Sequence, residues 1–102
     1  MSSVDERRIL SEIALLLLEE LALRGGSAKL KYIRTYKAVE FWAGEPAARL
    51  IIERLREGGF IRIEGERIVL SKQIKPSRGL RGVDKRALAL AKALYKRQEL
   101  SR

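Results

Sequence analysis

The stretch from Gly44 to Ser71, GEPAARLIIERLREGGFIRIEGERIVLS, leaves few folds open. Pro46 fits the first turn of a helix, where its missing N–H costs nothing and its fixed φ is already helical. Ala48, Ile51, Ile52 and Leu55 then recur at i, i+3, i+4 and i+7, one apolar stripe along that helix. Gly58 and Gly59 end it. Two short runs follow, Ile61–Glu64 and Arg67–Leu70, around Gly65-Glu66. Glycine in the first turn position suits a type II′ hairpin. That turn pairs Glu64 with Arg67, Ile63 with Ile68 and Ile61 with Leu70, so opposite charges and branched apolar side chains face each other.

The earlier part of the chain has the apolar surface to match. Asp5 is placed to cap a first helix that runs to about Leu23 and ends at Gly25-Gly26. Leu15–Leu18 covers its full circumference, so this helix must be buried on most sides. One small core cannot easily do that. The C-terminal helix, a second subunit, or both must cover the remaining face, and a homodimer through the N- and C-terminal helices is expected. Glu12, Glu19 and Glu20 interrupt the apolar run and no small-residue cleavage site follows. It therefore reads as a helix and not as a targeting or membrane segment, and a cytoplasmic protein is expected.

Between these parts, Ala28–Ile33 alternates Lys29 and Lys31 with Leu30 and Tyr32, as a strand does. Leu30 and Ile33 also fit the start of a helix, and the strand is preferred. A second helix is expected from about Thr35 to Trp42, with Gly44 as its stop. Phe41, Trp42 and Phe60 are expected in the core, and Tyr32 and Tyr36 half-buried. After the hairpin, residues 72–82, KQIKPSRGLRG, read as a linker or extended arm. A last helix runs from Val83 to about Leu100. Leu88, Ala91 and Tyr95 lie along one face with Ala87, Leu90 and Leu94 beside them, and Lys85, Lys92 and Lys96 share another.

The order helix, short strand, helix, helix, hairpin resembles the winged helix-turn-helix superfamily of DNA-binding proteins. The similarity covers about residues 5–71. It is most specific where the third helix leads through Gly59, Phe60 and Ile61 into the hairpin. The closing arm and helix resemble those of dimerising archaeal members. The resemblance implies a mainly α fold with a small β-hairpin (α+β): a winged-helix domain over 1–71, a basic arm over 72–82 and a C-terminal helix over 83–102. It also implies that the third helix enters the major groove and the hairpin touches the backbone or minor groove. By position, Arg49 and Arg54 on the helix, with Glu53 beside them, and Arg62 and Arg67 on the wing would face the nucleic acid. Yet the row opposite the buried stripe is Pro46, Leu50, Glu53 and Glu57, which offers base edges little and phosphates less.

Charge points to the same class of partner. Of the 102 residues, 1–71 carry 12 basic and 11 acidic side chains, whereas 72–102 carry 10 basic and 2 acidic. Concentrated cations suit a polyanion, because each one that neutralises a phosphate releases counterions without reading sequence. Candidate contacts in this region are Lys72, Lys75, Arg78, Arg81, Lys85, Arg86, Lys92 and Lys96. In the body, Lys29, Lys31, Arg34 and Lys37 interleave with Tyr32 and Tyr36, a pattern that suits backbone contacts plus stacking.

Other chemistries have little to work with. Cysteine and histidine are absent, which removes disulfides, thiolate or imidazole metal sites and the usual nucleophile–base pairs. No Gly-rich phosphate loop or paired acids in a likely cleft replace them, since the close pair Glu19-Glu20 sits on a helix, so neither an enzyme, a cofactor nor a metal is expected. Fourteen arginines, 34% charged residues and no asparagine point to a thermophilic source. The expectation is a nucleic-acid-binding protein that holds mainly the backbone, DNA in preference to RNA, in transcription control or in chromatin or replication support. The alternative is a small subunit of a polymerase or ribosomal assembly, docked on protein through the third helix and touching nucleic acid with its tail.

Overall fold

A computed structural model describes residues 2–100. Among them are four α-helices and a three-stranded antiparallel sheet, a mainly helical α+β fold: α1 (Ser2–Leu23), β1 (Ser27–Lys29), a 3-10 turn (Leu30–Tyr32), α2 (Arg34–Ala43), α3 (Glu45–Glu57), β2 (Ile61–Glu64), β3 (Arg67–Leu70) and α4 (Leu80–Leu100). The strand order is β1-β3-β2.

The segment Gly44–Ser71 folds as its pattern requires. Ala48, Ile51, Ile52 and Leu55 are all buried. Gly59 sits at φ 77°, where a side chain would be strained, and lets the chain reverse. Its N–H then reaches the carbonyl of Arg56, and that of Phe60 reaches Leu55, satisfying the helix end. In the hairpin, Glu64 pairs with Arg67, Ile63 with Ile68 and Ile61 with Leu70. Gly65 has φ 63° and Glu66 does not have positive φ, as a type II′ turn demands.

Several elements differ from the sequence expectation. Asp5 lies in the first turn of a helix that starts at Ser2, not at its cap. Ala28–Ile33 is divided: Ser27–Lys29 pairs with β3, and Leu30–Tyr32 turns as 3-10 helix. The division follows from Ile33, fully buried, which must point inward just as the chain enters α2. Phe41 is not core but 80% exposed, and Trp42 and Phe60 are only partly buried. Tyr32 is exposed and Tyr36 is buried, so neither is half-buried.

The largest difference concerns α4. It starts at Leu80, three residues before the expected Val83, and lies against α1 and α2. Val83, Ala87, Leu90, Ala91 and Leu94 enter the same core as Ile13, Leu17 and Leu21. Leu88 and Tyr95, expected on its apolar face, are exposed instead. The helix therefore covers the second face of α1 from within the chain. No described helix is long and apolar enough to cross a membrane.

Two buried carboxylates of α1 position what packs on it. Glu20 accepts hydrogen bonds from Arg24 Nε, the Arg34 N–H, the Thr35 N–H and Thr35 Oγ1, each 2.8 Å. The residue before α2 is Ile33, which has no capping group, so Glu20 supplies the cap from another helix. Glu19 ties down the segment that leads into α4: its Oε2 accepts from the Ser77 N–H at 3.1 Å and Ser77 Oγ at 3.0 Å.

Candidate nucleic-acid interface

The segment expected as an extended arm is tied to the body. Lys72 Nζ stands 4.2 Å from the Phe60 ring centroid and donates to the Gly58 carbonyl at 3.4 Å. Ile74 packs against the core. Arg78 Nε lies 3.8 Å from Glu19 Oε1, a buried oxygen that accepts no hydrogen bond. Arg81 belongs to the first turn of α4. Lys72, Lys75, Arg78 and Arg81 thus do not form an extended row of charges, because the apolar Ile74 and the Glu19 carboxylate hold the segment down. Lys75 and Arg81 are exposed without a partner among the described residues.

The cations of α4 divide by helix face. Arg86 makes a two-pronged contact with Glu12 at 3.0–3.2 Å, and Arg97 pairs with Asp5 at 2.8 Å; both carboxylates belong to α1. Arg81, Lys85, Lys92 and Lys96 lie at i, i+4, i+11 and i+15, within an arc of about 60° at 100° per residue. All four are exposed. None has a carboxylate within ion-pair distance among the described residues. At 1.5 Å per residue they form a stripe about 22 Å long.

Aromatic rings border this stripe. The α2 side chains opposite the buried Thr35, Tyr36 and Val39 are Arg34, Lys37 and Phe41. Phe41 meets Trp42 edge-on at 5.4 Å, and Trp42 meets Tyr95 of α4 at 5.8 Å. Lys92 Nζ stands 5.4 Å from the Trp42 ring centroid. The helical period of α2 carried the signal for Phe41, which bulk alone had placed in the core.

On the opposite flank, α3 and the hairpin spend most of their cations internally. Arg49 pairs with Glu45 at 3.5 Å, and Arg62 with Glu64 at 3.0 Å. Arg67 donates to Ser27 Oγ at 2.8 Å. Arg54 is exposed and, among the described residues, has no partner. Lys29, Lys31, Lys37 and Arg49 do converge, on a groove of about 480 Å³ between α2, α3 and the sheet. Glu40, Glu45, Glu53 and Glu66 line the same groove and match them in number. Lys37 lies 3.5 Å from Glu40. Arg34 turns away to Asp84 of α4 at 2.7 Å, and that hydrogen bond, with the attraction of the opposite charge, raises its guanidinium pKa.

The sixteen basic residues picked out from sequence therefore do not make one surface. Four gather in the charge-balanced groove, and four line the outer face of α4. Most of the others are held by carboxylates, hydroxyls or aromatic faces of the chain itself. Comparison with protein-family models, curated proteins and solved structures returned no match to this chain.

Proposed function

We propose that this chain is a non-enzymatic, winged-helix-type nucleic-acid-binding protein that grips duplex DNA mainly by its backbone, through the outer face of α4. The observation that carries the reading is the stripe Arg81, Lys85, Lys92 and Lys96: four like charges on one exposed face, with no internal carboxylate spent on them. A stripe of about 22 Å spans roughly six steps of a DNA strand at 3.4 Å each. The element order, the β1-β3-β2 sheet and the short α2–Gly44–α3 connection support the winged-helix part. The proposed role is transcription control, or chromatin or replication support.

The test is a duplex titration across a salt series. Four neutralised phosphates give a log–log slope of about −3.6. Lys85→Glu with Lys96→Glu should weaken binding and flatten that slope. A slope near zero for the unaltered chain overturns the proposal.

A second reading has its own observation. The outward row of α3 is Pro46, Leu50, Glu53 and Glu57, with Leu50 41% exposed beside a shallow hollow lined by Leu10, Ala14 and Phe60. Such a row suits protein better than phosphate, as in an accessory subunit of a polymerase or ribosomal assembly. Feeble DNA binding by the isolated chain, with a stoichiometric large partner retained by the intact α3 and lost on Leu50→Glu, selects this reading.

A further inference from the structure

We infer that the face shared by α2 and α4 takes an unpaired nucleic-acid strand, its phosphates along the α4 stripe and a base stacked on Phe41. The inference rests on the proposed nucleic-acid function and adds to it the form of the ligand.

Phe41 is the most exposed large hydrophobic side chain described, at 80%, yet it is not loose on the surface. Its centroid lies 5.4 Å from that of Trp42 in a T-shaped contact, and Trp42 meets Tyr95 in turn at 5.8 Å. An exposed aromatic ring suits any base, since every base has a π-face to stack on it. Lys92 over Trp42 joins the ring cluster to the cation stripe, so one strand can meet both at once. In a duplex the faces of the bases are hidden by stacking on their neighbours, so only an unpaired strand can use Phe41.

Charge decides against another occupant. A second copy docked symmetrically on this face would set one stripe of four cations beside its equal, at a cost in repulsion. A polyanion meets attraction from the stripe, offset only in part by Glu99, whose carboxylate accepts from Tyr95 Oη at 2.9 Å.

Trp42 is the only tryptophan in the sequence and lies in contact with Phe41, so intrinsic fluorescence reports on the site directly. The full chain is titrated with oligo(dT) and with a duplex of equal length. Oligo(dT) should quench Trp42. Phe41→Ala, which removes an exposed ring and should not disturb folding, should weaken oligo(dT) binding about tenfold. It should leave duplex affinity within about twofold, and Lys92→Glu should weaken both. No quenching by oligo(dT), or unchanged oligo(dT) affinity in Phe41→Ala, overturns the inference even where the duplex binds. Self-association of the chain that Phe41→Ala abolishes overturns it as well, in favour of a second copy on this face. Failure of the duplex alone, with oligo(dT) quenching intact, overturns the duplex reading and leaves this one standing.

Discussion

Glu20 and Thr35 are joined twice: one carboxylate oxygen of Glu20, Oε1, accepts from both the backbone N–H and the hydroxyl of Thr35, at 2.8 Å each. Both residues are almost wholly buried. The other oxygen accepts from the Arg34 N–H and Arg24 Nε. A buried charge is tolerable only when its hydrogen bonds are met, and this one has four. It fixes where α2 begins, and with it the outward face that carries Phe41.

Removing that carboxylate should be among the most damaging single changes. Glu20→Ala leaves two N–H groups and a hydroxyl without an acceptor, at a cost of about 3–5 kcal/mol. Glu20→Gln keeps the shape but turns an NH₂ towards donors, at about 1.5–3 kcal/mol. Thr35→Val keeps the backbone bond and loses only the hydroxyl, at about 1 kcal/mol. Denaturant unfolding of the three variants should give that order; equal midpoints would mean the cap contributes nothing.

Tyr36 sets an alkaline limit. Burial first, and then the charge of Glu40, raise its phenol above the ordinary tyrosine value of 10.0. A folded-state pKa above the unfolded one means its contribution is intact below about pH 10 and is lost as pH rises through the folded value. Stability should therefore fall above about pH 10 in the natural chain and fall less in Tyr36→Phe. Ultraviolet absorbance should show a tyrosinate step above about pH 10 vanish in that variant. An unchanged titration would remove the cause.

Ending the chain at Ser71 should unfold it, although the sequence treats residues 1–71 as a domain. Val83, Ala87, Leu90, Ala91 and Leu94 would leave the core, uncovering Ile13, Leu17 and Leu21. Fully burying a Val or Leu side chain is worth about 1.5–3 kcal/mol, so losing α4 exceeds the stability of an ordinary domain of this size. Circular dichroism of the truncated chain should show loss of helix well beyond the deleted residues. A cooperative melt close to that of the full chain would show the body folds alone.

What was legible in sequence was local. The α3 stripe, the Gly58-Gly59 stop and the hairpin register follow from spacing of 3.6 or 2 and from turn chemistry, which neighbours along the chain enforce. The excess of leucine on α1 correctly demanded a cover. Its source was not legible, because a helix from the same chain and one from a second copy bury the same atoms. The partners of Glu19, Glu12 and Asp5 lie 58 to 92 positions away in Ser77, Arg86 and Arg97, and no periodicity within either helix announces them. The charge count of residues 72–102 therefore overstated what remains for a ligand. Phe41 was misplaced for a different reason: hydrophobicity was weighed above its position on the α2 face opposite Thr35 and Val39.

That division of charge gives a sharp contrast between cations that look alike in sequence. Arg86 and Arg97 are held by Glu12 and Asp5, whereas Lys85 and Lys96, on the same helix, face solvent without a carboxylate partner among the described residues. If the proposed duplex binding holds, replacing Lys85 and Lys96 by Gln removes two phosphate contacts, and the salt slope on duplex DNA should lose about 1.8. Replacing Arg86 and Arg97 by Gln removes the same formal charge, but it also frees two carboxylates and breaks two exposed ion pairs worth about 0–1 kcal/mol each. The slope should then stay within about 0.5 of the natural value, the affinity should drop less than with the lysines, and thermal stability should fall slightly. Equal losses from the two pairs would mean that DNA sees only net charge, and the face of α4 would have no special part in binding.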